Sequence, residues 1–444
     1  MTERKIMALA KHAASVAKQS GASDARVAAT SSREVSVEWR DGKLDRIQES
    51  TQQSLAITLY VDGRYSVNDT SDLRKDAVEA YIQNAVAATR YLARDEHRHL
   101  PDPARYENAT KDNLEIYDPE ISKISPEERL RAAEAMESAA REGTGSDRII
   151  SVTTSVSDYG YHSVLVATNG LEASEEGTST WRSATVSIRD ADDRKPRGSD
   201  YGGGTFAADL PDVALVGNNA LRRALDQTGS RQVDTGRYEV IVENRAAPTL
   251  SRHLLSPLSG ASLQQRRSFL ENKLGQTVAS AELTLTSDPH LKRGLSSTAW
   301  DGEGMATLPR VVFDKGVLKT YFLDTYYASK LGEPPTTGSP ANMVWDGGER
   351  SAAEMIEKMK KGIFITSFLG GNSNATTGDF SLGIRGFYVE KGKILHPVSE
   401  MNMAGNHLEL WKHLVEVGND PWSYSSNRSP SLRFKEVQCS GAKG

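Results

Sequence analysis

"REVSVEWRDGKLDRIQESTQQSLAITLYVDGRYSVNDTSDL" occupies residues 33–73. Apolar and polar residues alternate through Val35, Val37 and Trp39, and again through Leu55, Ile57, Leu59 and Val61. A period of two puts every second side chain on one face, the pattern of a half-buried strand. Between the runs stand two Asp-Gly pairs, Asp41-Gly42 and Asp62-Gly63. A two-residue hairpin turn needs positive φ at both central positions, which Asp tolerates and Gly adopts freely. The stretch therefore predicts an antiparallel meander of about four strands.

Helical spacing flanks this meander. Ile6, Leu9, Ala10, Ala13, Val16 and Ala17 predict a helix over 3–20, and Leu73–Leu92 predicts a second. A proline-rich, charged connector covers roughly 100–120. Ser125-Pro126-Glu127-Glu128 has the N-cap, N1 and first-turn residues that open a helix over 126–142. Strand patterns return through 148–190 as four short runs, "SDYGGGT" (199–205) reads as a glycine-rich loop, and a helix is expected near 211–228. "TGSRQVDTGR" (228–237) reads as a polar linker. Beyond it, "RYEVIVEN" is a strand and "TLSRHLLSPLSG" (249–260) a short helix. "LPRVVFDKGVLKTYFLD" and "IRGFYVEKGKILHPVSEM" are hairpins turned on Lys-Gly, and "NHLELWKHLVEVGND" is a late short helix. The sum is an α+β fold: two domains of mostly antiparallel sheets with flanking helices, 1–230 and 236–444, the second strand-rich.

Bulk properties narrow the function. The 444 residues carry a formal net charge of −5, which argues against a dedicated nucleic-acid binder. One cysteine, Cys439, excludes an internal disulfide and fits a reducing compartment. The N-terminus lacks an unbroken apolar signal region, and no run approaches the roughly 20 apolar residues of a membrane span. The expected setting is the cytoplasm, with neither nucleic acid nor membrane as partner.

The residues that carry chemistry are few. Of the nine histidines, His97 and His99 lie in the charged run "RDEHRH", while His407 and His413 stand six apart on the late helix, about 120° around its axis. Glu409 and His413 face the same way and form at most a weak pair. No catalytic zinc set of three protein ligands is legible. A Gly-x-Ser-x-Gly elbow and a P-loop are both missing. Two acid-and-glycine stretches stand out: "AWDGEG" with Asp301 and Glu303, and "TTGDFS" with Thr377, Gly378, Asp379 and Ser381. Both patterns suit a ligand, and both suit the satisfaction of turn N–H groups.

Taken together, an ordered set of motifs resembles the TldD/PmbA (TldD/TldE) family, some members of which are called modulators of DNA gyrase. The set comprises "WRDGKLDRIQES", "LGQTVAS", "DPHL", "WDGEGMATLPRVVFDKGVLKTYFLDTYYASKLG", "GNSNATTGDFSLGIRGFYVEKGKILHPVSEMNMAGN" and "VGND". The resemblance implies a heterodimeric zinc metallopeptidase acting on unfolded peptides, in leader-peptide processing or antitoxin degradation. It places the metal in the TldD-type subunit, on a His-Glu-x-x-x-His helix with a cysteine nearer the C-terminus. Aligned without gaps back from "LGQTVAS", the histidine places fall on Ser251 and Ser256 and the glutamate place on Arg252. Cys439 aligns with the final strand and takes no ligand role. By this resemblance the chain is the TldE/PmbA type, binding no cofactor itself, with zinc in a TldD-type partner. Two alternatives stay open: a non-catalytic regulatory protein of the gyrase-modulator kind, and a hydrolase using Asp301, Glu303 and Asp379.

Overall fold

In the computed structural model, which describes residues 3–441, helix α1 (Glu3–Gln19) leads into strand β1 (Asp24–Arg40). β1 turns at Asp41-Gly42 into β2 (Lys43–Val61), which turns at Asp62-Gly63 into β3 (Arg64–Thr70). The φ angles are 50° and 79° in the first turn and 52° and 74° in the second. Both are the left-handed pair that matches strand twist. Next come α2 (Lys75–Thr89), α3 (Pro126–Glu142), β4 (Ile149–Ala167), β5 (Glu172–Ile188), β6 (Arg197–Gly204) and α4 (Val213–Leu225). The six strands form one antiparallel sheet, ordered β3-β2-β1-β4-β5-β6.

Three expectations need correction here. The meander holds three strands, and the other side of β1 is taken by β4, which arrives from far along the chain. The four runs read between 148 and 190 are two long strands, with Tyr161 paired to Gly177 in mid-ladder. A Cβ on Gly177 would meet the Tyr161 ring at 2.5 Å, so that glycine makes room for an aromatic ring within the ladder. The expected loop at 199–205 is mostly strand β6, and Gly203 lets it lie against Trp181, where a Cβ would come within 2.4 Å.

Alternation decides which face of this sheet is covered. Ala25, Val27 and Ala29 of β1 point into a cluster with α1 and α2, and Val37 points into a second cluster with α3 and α4. Two helix pairs thus cover two ends of one face. The opposite face carries Arg26, whose guanidinium lies 3.5 Å from Glu303 in the second half of the chain.

The second half contributes β7 (Gly236–Val242), α5 (Ala247–Leu255), α6 (Gly260–Gln264), β8 (Leu285–Asp288), β9 (Arg310–Asp314) and β10 (Val317–Leu318). There follow α7 (Thr325–Leu331), β11 (Asn342–Trp345), α8 (Ala352–Lys358), β12 (Lys361–Ser373), β13 (Asp379–Glu390) and β14 (Lys393–Asn406). The chain ends in α9 (His407–Lys412), β15 (Leu414–Val417), β16 (Asn427–Arg428) and β17 (Leu432–Gly441). One sheet is ordered β10-β9-β8-β11-β16; the other runs β14-β13-β12-β7-β17-β15, and β14 also pairs with β17. That extra pairing closes β7, β12, β13, β14 and β17 into a ring, which removes their free edges. Both Lys-Gly hairpins form, with positive φ at Lys315, Gly316, Lys391 and Gly392. The late helix stops at Lys412, and "LVEV" is strand β15 instead. Among the described residues, no helix is long and apolar enough to cross a membrane.

One buried ion pair locks α3 to the sheet. Arg129 Nε donates to Asp158 Oδ2 at 2.6 Å, with the side chains 1% and 4% exposed, and Arg129 Nη1 donates to the Ile124 carbonyl at 2.6 Å. Removing one partner leaves a buried charge uncompensated, so Asp158→Ala is expected to lower unfolding free energy by about 3–5 kcal/mol in urea titrations. Joint replacement, Arg129→Met with Asp158→Leu, is expected to recover most of that loss; a double variant no more stable than the single one would contradict this account.

Candidate functional site

Helix α5 lies where the resemblance puts a metal. Pro248 stands in its first turn, and Ala247, Leu250, Leu254 and Leu255 pack into the main core of the second half. Ser251 shares that buried face. Its hydroxyl donates to the Ala247 carbonyl at 3.1 Å and accepts from Asn427 Nδ2 at 2.7 Å. Arg252 and Ser256 are exposed, the latter opening a short 3-10 turn. A hydroxyl already engaged by two hydrogen bonds, an exposed guanidinium and an exposed serine are not zinc donors. These residues do not fit the metal.

Beside that helix the fold brings together a pair of rings that spacing along the chain could not reveal. His253, half-buried, lies 5.6 Å from His407, ring centre to ring centre. His407 opens α9, is 0% exposed, and packs on Phe380 at 4.6 Å and Phe269 at 5.7 Å. Its Nε2 lies 2.9 Å from Ser373 Oγ, while Nδ1 has no hydrogen-bond partner among the described residues. Burial, with His253 adding to it, pushes the His407 ring down to about 4. Burial and then Arg252 lower His253 as well, so both imidazoles are held toward their neutral forms. Two rings do not make a catalytic zinc set. Among the described residues, no three His, Cys, Asp or Glu side chains group so as to hold a metal. Glu409 pairs with Lys412 at 2.9 Å, and His413 caps the end of α9. Cys439 is buried in β17, where burial pushes its thiol up to about 12.

The "TTGD" stretch builds the mount for His407. Thr377 Oγ donates to Asp379 Oδ2 at 2.7 Å, and Asn406 Nδ2 donates to Asp379 Oδ1 and to the Thr377 carbonyl, both at 2.9 Å. Asn406 then caps α9 by accepting from Leu408 N at 3.0 Å, and the His407 N–H donates to the Gly378 carbonyl at 2.8 Å. Gly378 has a φ of 84°, a left-handed value that suits glycine. Ser381 is exposed and pairs in the β12–β13 ladder opposite Asn372.

Asp301 and Glu303 line a different place, a cleft of about 620 Å³ between the two halves. Asp301 Oδ1 accepts from the backbone N–H groups of Glu303 at 2.9 Å and Met305 at 3.0 Å, while Oδ2 is buried with no hydrogen-bond partner among the described residues. Burial pushes its carboxyl up to about 6, and the neighbouring Glu303 charge adds to the rise. Glu303 accepts from the Thr325 N–H at 2.7 Å and faces Arg26, so it ties α7 to β1. No hydrogen bond or ion pair among the described residues joins Asp379 to these two acids. The three carboxylates do not form one set.

Comparison with known proteins accounts for nearly the whole chain. Residues 25–89 match PmbA/TldA metallopeptidase domain 1, residues 119–228 the central domain, and residues 235–441 the C-terminal domain of the same family. The chain is 31% identical over 426 residues to metalloprotease PmbA of Escherichia coli O157:H7, covering 95% of this chain and 93% of that one. A solved structure from Bacteroides thetaiotaomicron, described as a candidate modulator of DNA gyrase, is 40% identical, covers 98% of both chains and superposes with a TM-score of 0.94. TldE from Thermococcus kodakarensis shares the fold, with a TM-score of 0.86 at 20% identity over 98% of this chain and 100% of that one. With all three domains matched in order and a relative this similar end to end, the chain belongs to the PmbA/TldD metallopeptidase family.

Proposed function

We propose that this chain is the TldE/PmbA-type, metal-free subunit of a two-chain zinc peptidase, and that its TldD-type partner carries the metal. The observation behind this reading is α5. The helix stays packed in the core, while its three motif places hold an engaged hydroxyl, an exposed arginine and an exposed serine. The substrates are unfolded peptides, as in leader-peptide or antitoxin processing, and the setting is the cytoplasm. The subunit's own task is to complete the chamber and hold the chain being cut. In this reading the His253–His407 pair is part of the packing around α5, since neutral buried imidazoles sit well among phenyl rings.

Co-purification with the TldD-type chain, followed by an assay on an unstructured peptide, tests this directly. Cleavage is expected from the pair only, with zinc in the partner. An isolated chain that holds zinc and cleaves as fast as the pair would sink the proposal. A pull-down that recovers gyrase but no TldD-type chain would favour the regulatory reading suggested for the Bacteroides relative.

The hydrolase reading finds no joint carboxylate set, and Asp301 has a different expected signature. Its folded carboxyl titrates near 6, above the unfolded value of 3.8. Between those values the native chain holds a proton that the unfolded chain releases. The contribution of this group to stability is therefore present at low pH and lost as pH rises toward 6. Asp301→Asn keeps an oxygen for the Glu303 and Met305 N–H groups and removes the titration. Its melting temperature relative to the wild-type chain is expected to climb by a few degrees from pH 4.5 to 7.5; a constant difference would show that Asp301 is not buried as described. His407 titrates in both proteins and cancels.

A further inference from the structure

A second cleft, of about 640 Å³, separates α4 and β6 from the outer faces of β12, β13 and β14. Five arginines and two carboxylates, Asp226 and Glu243, line it. Two of the arginines are committed: Arg223 grips Glu243 through two hydrogen bonds of 2.8 and 2.7 Å, and Arg245 pairs with Asp200. Arg385 is not. It is half-buried, and its guanidinium has no hydrogen bond or ion pair among the described residues. Burial alone lowers its pKa, with no carboxylate acting against that shift. Desolvating a guanidinium without an anion is unfavourable, so the position is poised to gain from one.

The backbone singles out the same residue. The β13–β14 ladder shifts register between Ile384 and Gly386, leaving Arg385 unpaired on that side, and β12 bulges opposite it between Ile365 and Ser367. The extra residues lie on the strands either side of Arg385, Thr366 on β12 and Ser399 with Glu400 on β14, and such bulges recur beside binding sites. Beside Arg385, Phe364 and Phe387 stack at 6.3 Å with 16° between their planes, and Leu369 and Ile394 are exposed at 49% and 47%. A free cation next to an aromatic wall and an apolar rim is complementary to a carboxylate flanked by an apolar side chain. The guanidinium supplies a planar fork of donors suited to that group.

We propose that this cleft binds a carboxylate of an extended peptide through Arg385, with Phe364 and Phe387 receiving an adjacent apolar side chain. The proposal rests on the reading of this chain as a peptide-handling subunit, and gives it a preference for acidic or C-terminal segments. The probe is a fluorescein-labelled, unstructured peptide of Gly, Ser and Phe, made with one Glu and an amidated end, with Gln and a free carboxyl end, and with neither carboxylate. Fluorescence anisotropy with the isolated full-length chain is expected to show about tenfold tighter binding of a carboxylate-bearing peptide than of the neutral one. The first two peptides separate a side-chain source from a terminal one. Arg385→Gln is expected to abolish that preference, Arg385→Lys to keep part of it, and Arg385→Glu to favour a peptide with Lys in place of Glu.

Equal wild-type affinity for acidic and neutral peptides would overturn the proposal, as would equal weakening of all peptides by Arg385→Gln. Loss of association with the TldD-type chain, with peptide preference intact, would assign Arg385 to the subunit interface and overturn it too. Because binding is read on the isolated chain and cleavage on the pair, failure of this proposal is distinguishable from failure of the proposed function.

Discussion

Strand β1 is the element on which the rest depends. It is paired along nearly its whole length on both sides, to β2 and to β4, so its register fixes the register of the sheet. With that register, Val27 and Val37 face the helices and Arg26 faces Glu303. A slip of one residue would send the apolar set outward and bury Arg26 under helix pairs. Alternation and the left-handed turn at Asp41-Gly42 together exclude that slip. The junction of the two halves therefore inherits its precision from a hairpin near the N-terminus, and the Arg223–Glu243, Arg245–Asp200 and Arg293–Glu115 pairs extend it.

Local physics was the legible part. Turns that require positive φ announce themselves as Asp-Gly or Lys-Gly, and helices that bury one face announce themselves by period. The α+β class follows from these signals alone. What escaped was long-range. "SDYGGGT" looks like a loop because glycine usually marks one, and only the close approach of Trp181 to Gly203 and of Pro211 and Tyr424 to Gly202 explains glycines in a strand. Closure of the second-half ring by β14 and β17 leaves no mark in either segment, since pairing partners are not encoded in the pattern of one strand.

The candidate site divides the same way. The lack of zinc donors at Ser251, Arg252 and Ser256 could be read from the chain once the resemblance gave a frame. The nearness of His253 and His407 could not, because it needs α5 and α9 to meet. A usable signal did exist at Asn406, a strong N-cap residue directly before His407. Asp301 and Asp379 look alike in sequence, each acid beside a glycine, yet burial raises one carboxyl while hydrogen bonds from Asn406 and Thr377 lower the other. Environment, not residue type, separates them.

The hydrogen bond from Asn427 to Ser251 has a consequence for reversibility. Asn427 belongs to β16, which pairs with β11, so the small hydroxyl is wedged between a core helix and a sheet edge. Ser251 is fully buried, so a larger ring there would overpack the core and strip the asparagine amide of its acceptor, costs of about 1–3 kcal/mol each. Rewriting the motif letters alone would thus leave a poorly packed helix rather than a working metal centre. The chemistry available at position 251 is therefore set by the packing behind the helix as much as by the residue itself, and changing it requires the surrounding core to change as well.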